Sequence, residues 1–204
     1  MHERSVIDPV NSRWRPTRWN VEDRPATAPL TFVSCLVRVK GKTCEKGDHM
    51  AGTVVARKPA EGDAFWVLGG LYEVKVSSEE SGGEMVVMQM TIPEGMGPPP
   101  HTHPGAETVY VLDGTLRYHI GEETVEGEPG SIFRIPAGVW ENFEPTSTAR
   151  VLVVYSPGAD ADKFFAEAGE RAPVRDLPPS AEPPDVERLI AAAARYGIEI
   201  RSPA

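Results

Sequence analysis

Two histidines and a glutamate lie close together in the middle of the chain, at a spacing that suits metal binding. His101 and His103 are two residues apart, and Glu107 follows four residues later. In an extended segment the two imidazoles project from the same side, and a glutamate that enters the next strand brings a carboxylate to the same point. Two histidines and one carboxylate leave coordination positions open, as in non-haem iron sites that admit substrate or O2. The spacing therefore predicts a divalent-metal site with room for a further ligand.

Prolines surround these candidate ligands. They occupy positions 98, 99, 100 and 104. Because the proline ring fixes φ, a proline-rich segment loses less conformational entropy when its neighbours are held in place. We therefore expect a preorganised site rather than one that forms only around the metal.

The elements that must position these residues are short β-strands. Nine runs rich in β-branched and aromatic residues follow one another between residues 52 and 156, separated by turn residues. The runs are GTVVARK, AFWVLGG, LYEVKVSS, EMVVMQMTI, ETVYVLDG, TLRYHIG, EETVEG, SIFRIP and ARVLVVYS. Leu116, Tyr118 and Ile120 alternate with Arg117 and His119, so one face of that strand is apolar and the other polar. This spacing of strands predicts an all-β antiparallel barrel or sandwich.

Composition and hydrophobic periodicity divide the chain into three parts. Residues 1–50 show no sustained period and are predicted to be an N-terminal extension, poorly ordered or packed on the barrel. Residues 51–158 are the predicted barrel, and residues 159–204 a helical extension with a proline-rich linker. Met50 is an alternative natural start, in which case residues 1–49 would come from an upstream start codon.

Two short helices are predicted in the C-terminal extension. Asp160 or Asp162 precedes a segment that carries Phe164 and Phe165, and Gly169 is suited to end it. Asp185 is suited to cap a second helix that ends before a glycine at position 197. The apolar positions of that helix, spaced i, i+3, i+4 and i+7, are Val186, Leu189, Ile190 and Ala193.

Composition narrows the classes of partner and the compartment. The formal net charge is −9, which repels phosphate backbones and anionic lipid surfaces, so neither a nucleic acid nor a membrane is expected as a partner. The N-terminus lacks the apolar stretch of a signal peptide, and the expected location is the cytoplasm. Cys35 and Cys44 lie outside the predicted barrel and are expected to be reduced thiols rather than a disulfide framework.

Residues 95–114 resemble the first signature motif of the cupin superfamily. Gly95, His101, His103, Glu107 and Gly114 fall in the pattern G-x5-H-x-H-x3-E-x6-G at every fixed position. With one such motif, the chain resembles single-domain bacterial cupins related to quercetin dioxygenase. The resemblance implies a double-stranded β-helix, or jelly-roll barrel, with a few peripheral helices. It also implies a divalent transition metal at the barrel centre, and commonly a homodimer.

A second segment resembles only the start of the second cupin motif. Residues 130–138, GSIFRIPAG, match G-x5-P-x-G, but Glu141 stands where that motif has a histidine and Pro145 where it has an asparagine. Strand alternation puts Glu141 on one face with Val139 and Phe143. If that face points inward, two histidines and two carboxylates favour hard metals such as Fe, Mn or Ni, with Zn also accommodated. Alternatively, Glu141 lies at the barrel mouth, and water completes a three-ligand site.

The resemblance implies several functions. We expect a small-molecule substrate and a metal-dependent dioxygenase that acts on a flavonol-like or other small enolisable aromatic compound. His101, His103, Glu107 and Glu141 would then hold the metal, and Glu107 or Glu141 would take the substrate proton. The predicted apolar pocket residues are Met90, Tyr110, Phe133 and Phe143. Two alternatives remain open, a non-catalytic module that binds a small molecule and a cupin that uses the metal as a Lewis acid for isomerisation or decarboxylation.

Overall fold

A computed structural model of the chain describes residues 54–179 and 185–201, and these consist mainly of β-strands. The strands are β1 (Ala64–Val67), β2 (Gly70–Val76), β3 (Val86–Ile92), β4 (His101–Thr102), β5 (Ala106–Asp113), β6 (Leu116–Ile120), β7 (Glu123–Gly127), β8 (Ile132–Ile135), β9 (Glu141–Pro145), β10 (Ala149–Ser156), β11 (Glu170–Arg171) and β12 (Glu199–Ile200). The helices are α1 (Ala161–Ala168) and α2 (Val186–Arg195).

The strands form two antiparallel sheets. One has the order β11-β1-β2-β3-β10-β5-β8 and the other the order β12-β4-β9-β6-β7. Strands that are distant in sequence lie side by side in both sheets, as a jelly roll requires. The all-β jelly-roll fold predicted from the sequence is thus confirmed. Of the nine predicted runs, only GTVVARK contains no strand within its described part, residues 54–58.

Alternating residues of both sheets build the core between them. On β6, Leu116 and Tyr118 are each 1 % exposed, whereas Arg117 is half-buried on the other face and makes an ion pair with Glu126 on β7. On β3 the same period buries Met88 and leaves its neighbours half-buried. Burial of one large apolar side chain stabilises a fold by about 1.5–3 kcal/mol. This alternation therefore fixes which side of each strand can face the site.

Both predicted helices are present. Gly169 is the C-cap of α1, as expected, and Asp160 occupies the N-cap position without a capping hydrogen bond from its side chain. Asp185 caps α2, because its carboxylate accepts a hydrogen bond from the backbone N–H of Arg188 at 2.9 Å. Gly197 follows α2 with φ +69°, which suits glycine.

The apolar face predicted for α2 is partly wrong. Val186 and Ile190 are about half exposed, whereas Leu189, Ala192 and Ala193 are buried. The helix therefore packs through a narrow stripe of its apolar residues. The remaining apolar residues lie beside this stripe and face solvent. No helix within residues 54–179 and 185–201 is long and apolar enough to cross a bilayer.

The expectations for Met50, Cys35, Cys44 and residues 1–49 lie outside the described residues. All of the described residues belong to a single unit, Asp48–Ala204.

Candidate metal centre

Four candidate ligands come from both sheets and meet between them. His101 lies in β4 and His103 follows that strand directly, whereas Glu107 belongs to β5 and Glu141 begins β9. Strand pairing puts His101 directly opposite Glu141 in the five-stranded sheet. Glu107 belongs to the seven-stranded sheet, where it pairs with Ile135 on β8. The cluster therefore bridges the two sheets inside the barrel.

Contacts with the backbone hold both histidines in place. Nδ1 of His101 lies 3.0 Å from the carbonyl oxygen of Pro99, which can only accept a hydrogen bond. Nδ1 therefore donates, and Nε2 points towards the other site residues, as in metal sites where the second ring nitrogen is fixed by a backbone carbonyl. The carbonyl of His103 accepts a hydrogen bond from the N–H of Gly138 at 2.9 Å. Gly138 has φ +74°, so this turn of the second motif supports the ligands of the first.

Three pairs of polar atoms among the four side chains lie within hydrogen-bond distance. Oε1 of Glu141 is 2.9 Å from Nε2 of His101 and 3.0 Å from Nε2 of His103. Oε2 of Glu107 is 2.8 Å from Nε2 of His103. Glu141 is 2 % exposed, so it lies inside the barrel and not at its mouth. The alternative in which Glu141 binds water at the mouth is therefore wrong.

Charge in this confined space shifts the pKa values of the cluster. Burial lowers the pKa of His103, but the charge of Glu107 and the hydrogen bonds to both carboxylates outweigh it and raise that pKa to about 10. Burial acts in the opposite direction on Glu141, yet the charge and hydrogen bond of His101, followed by those of His103, hold its pKa below the usual range. The surroundings of Glu141 thus favour its ionised carboxylate, the form that binds cations.

Two buried tyrosines surround Glu107. Tyr118 donates a hydrogen bond from its hydroxyl to Oε1 of Glu107 at 3.2 Å. The ring of Tyr155 lies 5.3 Å from the ring of His103. Burial, with the charge of Glu107 as the next cause, raises the pKa of both tyrosines well above its ordinary value. Tyr118 therefore stays a neutral donor that holds one oxygen of Glu107 and leaves the other beside His103.

The donor set fits a divalent transition metal. One ligand atom each from His101, His103 and Glu141 lies within 4.8 Å of the others. Oε2 of Glu141 is buried and has no hydrogen-bond partner among the described residues, which is costly unless a cation or ligand satisfies it. Imidazole and carboxylate together suit Mn, Fe, Ni and Zn. Glu107 contacts this triad through His103.

An apolar cavity of about 50 Å³ opens onto these donors. Of the four pocket residues predicted from the sequence, Met90 and Phe143 line it together with the four donors. The rest of the wall comes from residues that the sequence did not single out as pocket residues. They are Val67, Leu68, Tyr72, Pro98, Pro99, Tyr155, Phe164, Phe165, Leu189, Ile198 and Ile200. Phe164 and Leu189 belong to helices that the sequence predicts. The sequence pattern does not show which surface of the barrel these helices pack against.

The other two predicted pocket residues do not reach this cavity, and that prediction is wrong. Tyr110 is 42 % exposed, because it lies on the outer face of β5. Phe133 points inward, but its ring packs against Tyr118 at 5.0 Å between centroids and belongs to the core. The alternation of side chains along a strand distinguishes inward-facing from outward-facing residues. It does not show which of the inward-facing residues border the site.

Comparison with known proteins finds a matching family model for the central part of the chain. Residues 88–155 match the model of the Cupin domain. None of the curated protein sequences is similar to this chain.

Several solved structures are similar to part of this chain at low identity. An RmlC-like cupin from Shewanella frigidimarina is 14 % identical, with a TM-score of 0.47, over 54 % of this chain and 94 % of that one. Oxalate decarboxylase from Bacillus subtilis is 19 % identical, with a TM-score of 0.49, over 57 % of this chain and 32 % of that one. The putative ethanolamine utilization protein EutQ from Salmonella typhimurium is 26 % identical, with a TM-score of 0.39, over 44 % and 70 %.

The matched residues 88–155 include most of β3, all of β4 to β9, nearly all of β10 and the four candidate ligands. Within its jelly-roll fold, this chain therefore has a segment that matches the Cupin domain and contains a candidate metal site at His101, His103 and Glu141.

Proposed function

We propose that this protein is a metal-dependent dioxygenase that cleaves a small enolisable compound. One observation carries the proposal. Two imidazole Nε2 atoms and two carboxylates converge at the floor of an apolar cavity, and one carboxylate oxygen there has no partner among the described residues. Such a floor suits a cation and a deprotonated substrate oxygen beside it.

His101, His103 and Glu141 would hold the metal, with Glu107 as a fourth ligand beside His103. Iron, manganese or nickel would suit this set best, with zinc also accommodated. Such a metal would supply open coordination positions and Lewis acidity for the enolate and O2.

Glu141 is well placed to take the substrate proton. Its Oε1 contacts both histidines, and its buried Oε2 is free of protein partners in the described structure. Both oxygens of Glu107 are engaged, one by Tyr118 and the other by His103. A general base must lie within hydrogen-bond reach of the proton that it removes, and Glu141 lines the cavity in which the ligand would lie. Glu107 serves in this role if Glu141 binds the metal through both oxygens.

The rest of the cavity excludes water from the enolate. Its wall is formed largely by apolar and aromatic side chains, including Met90 and Phe143. In the overall reaction O2 adds to the enolate, a carbon–carbon bond breaks, and both oxygen atoms end in carbonyl or carboxyl products. The substrate supplies all the electrons, so no separate reductant is needed.

Oxygen consumption by metal-loaded protein tests the proposal. Protein freed of metal is reloaded with Fe(II), Mn(II), Ni(II) or Zn(II) and mixed with flavonols and 1,3-diketones. We expect O2 uptake that matches substrate loss with one or more of the redox-active metals, and none with Glu141→Gln. The matched control is Glu144→Gln on the same strand, where the side chain is 55 % exposed and should leave uptake unchanged. Stoichiometric metal binding without uptake across the panel would contradict the dioxygenase.

A non-catalytic binding module is the second candidate. It is favoured by Glu141, a carboxylate at the position where the second cupin motif has a histidine. The same panel separates the two functions, because a pure binding protein would retain its ligand unchanged after prolonged exposure to O2.

A further inference from the structure

The end of the described chain forms one wall of the cavity. We call residues 185–201, which contain α2 and β12, the C-terminal cover. Leu189 on α2, Ile198 in the connection and Ile200 on β12 all line the cavity together with the site histidines. The cover lies outside the region matched by the cupin domain model.

Backbone hydrogen bonds attach the cover to the strand that carries a candidate ligand. β12 pairs with β4 in antiparallel register, with Ile200 opposite His101. The backbone N–H of Arg201 donates to the carbonyl of Pro100 at 2.9 Å. The guanidinium of Arg201 lies 3.7 Å from the ring centre of Trp140, a cation–π contact. The cover is therefore fixed beside the metal centre rather than loosely draped over it.

The other edge of the cover is attached to α1. The Arg188 side chain donates to the carbonyls of Glu167 and Gly169, at 2.6 and 2.5 Å, at the end of α1. The ring of Tyr196 packs edge-on against Phe164, with 6.2 Å between centroids. Since Phe164 also lines the cavity, α1 and the cover form one continuous apolar wall.

This wall offers nothing to a charged ligand. Among the described residues that line the cavity there is no lysine or arginine, and the only carboxylates are those of Glu107 and Glu141 in the site itself. Burying a carboxylate or phosphate without a cationic partner is costly, and apart from the four donors the only polar side chains among the described lining residues are those of Tyr72 and Tyr155. The wall therefore selects ligands that are uncharged away from the metal.

The cover also limits size. The cavity of about 50 Å³ has room for only a few water-sized groups, at roughly 10–15 Å³ each. A dry apolar cavity that accepts benzene measures about 150 Å³. With the cover in place, the cavity is thus smaller than one that accepts a single aromatic ring, and a three-ring flavonol is disfavoured.

We infer that the C-terminal cover determines specificity, with Leu189 and Ile198 as the residues that restrict the site to small uncharged compounds. The class that satisfies these limits is an enolisable carbonyl compound with short alkyl substituents. The choice of an enolisable head group rests on the proposed function; the limits of size and charge rest on the cavity wall alone.

A series of 1,3-diketones that share one head group tests this inference. Binding of 2,4-pentanedione, 1-phenyl-1,3-butanedione and 1,3-diphenyl-1,3-propanedione to metal-loaded protein is measured by calorimetry. In the wild type we expect the first phenyl group to weaken binding by at least about tenfold. Leu189→Ala and Ile198→Ala should recover about that factor for the phenyl compounds. Ile190→Ala is the matched control, because Ile190 lies on the same helix with its side chain 48 % exposed, and it should behave as the wild type.

A second probe separates this inference from the proposed function. Benzene has no oxygen donor, so its binding to metal-free protein, followed by NMR, does not depend on a metal or a reaction. We expect benzene to bind Leu189→Ala and Ile198→Ala but neither the wild type nor Ile190→Ala. If no metal binds, the proposed function fails while the benzene result still decides the role of the cover. Equal binding of all three diketones by the wild type, or benzene binding that is the same in all four proteins, would overturn the inference.

Discussion

The floor and the cover of the cavity are built in different ways. The floor consists of four ionisable side chains that contact one another, held by backbone bonds within the barrel. The cover is apolar where it faces the cavity and is attached by a two-residue strand and by the side chains of Arg188 and Arg201. The chemistry and the selectivity proposed for this site would thus reside in separate parts of the chain. Changes to the floor should alter metal binding, and changes to the cover should alter what fits beside the metal.

The largest effect is expected at Glu141. Its replacement by alanine removes a central donor and leaves His101 and His103 without their shared carboxylate. Loss of an outer-shell partner alone weakens metal binding by about 10–100-fold, so we expect a loss of at least about 100-fold here. Metal titration by calorimetry, with metal content by mass spectrometry, measures it. Glu141→His should restore metal binding, since it supplies the ligand of the second cupin motif. Unchanged metal affinity in Glu141→Ala would show that Glu141 is not a metal ligand.

Removal of the Tyr118 hydroxyl should give the next largest effect. Tyr118→Phe leaves Oε1 of Glu107 buried without its donor. A hydrogen bond to a charged group contributes about 1.5–3 kcal/mol, so we expect a loss of unfolding free energy in that range. Urea denaturation of metal-free protein measures it, with Tyr110→Phe on the outer face as the matched control. Metal affinity should fall as well, because Glu107 would no longer be held beside His103.

Arg188 tests the attachment of the cover. Arg188→Met keeps the aliphatic stem but removes two hydrogen bonds to carbonyls at the end of α1. We expect about 1.5 kcal/mol less stability and faster amide hydrogen exchange in α2, with metal affinity unchanged. A marked loss of metal affinity in this variant would break the division between floor and cover.

The smallest effect is expected at the cap of α2. Asp185→Ala removes the bond from the backbone N–H of Arg188, and such caps contribute about 1 kcal/mol. Asp185→Asn retains an oxygen acceptor and should keep most of that stability. Thermal unfolding compares the two variants. If alanine and asparagine behave alike, the cap does not contribute to holding the cover.

Much of the floor could be predicted because its information is local. The two-residue spacing of His101 and His103 places them together in any extended segment, and alternation along residues 139–143 puts Glu141 on a face that the structure turns inward. The same period identifies Leu116 and Tyr118 as core. The short strand β4 has no such signature, since two residues are too few to show a period.

The cavity wall is harder to predict. Alternation separates inward from outward residues but does not give depth, so it does not distinguish Phe133, which packs on Tyr118, from a residue that borders the cavity. On α2, periodicity predicts that Val186, Ile190 and Leu189 are all buried. Of these three, only Leu189 is buried and lines the cavity. Which flank of a stripe is buried depends on the partner surface, which the local pattern does not contain.

The all-β character, the places of most strands along the chain and the ends of both helices could be read from the sequence, because each depends on neighbours within a few residues, and the sequence also singled out the four candidate donors. Only the tertiary structure decided that His101 pairs across from Glu141, that Glu107 reaches His103 from the other sheet, and that β12 adds to β4 beside the site. Those contacts depend on which strands pair and in what register, and most of them join residues far apart in the chain.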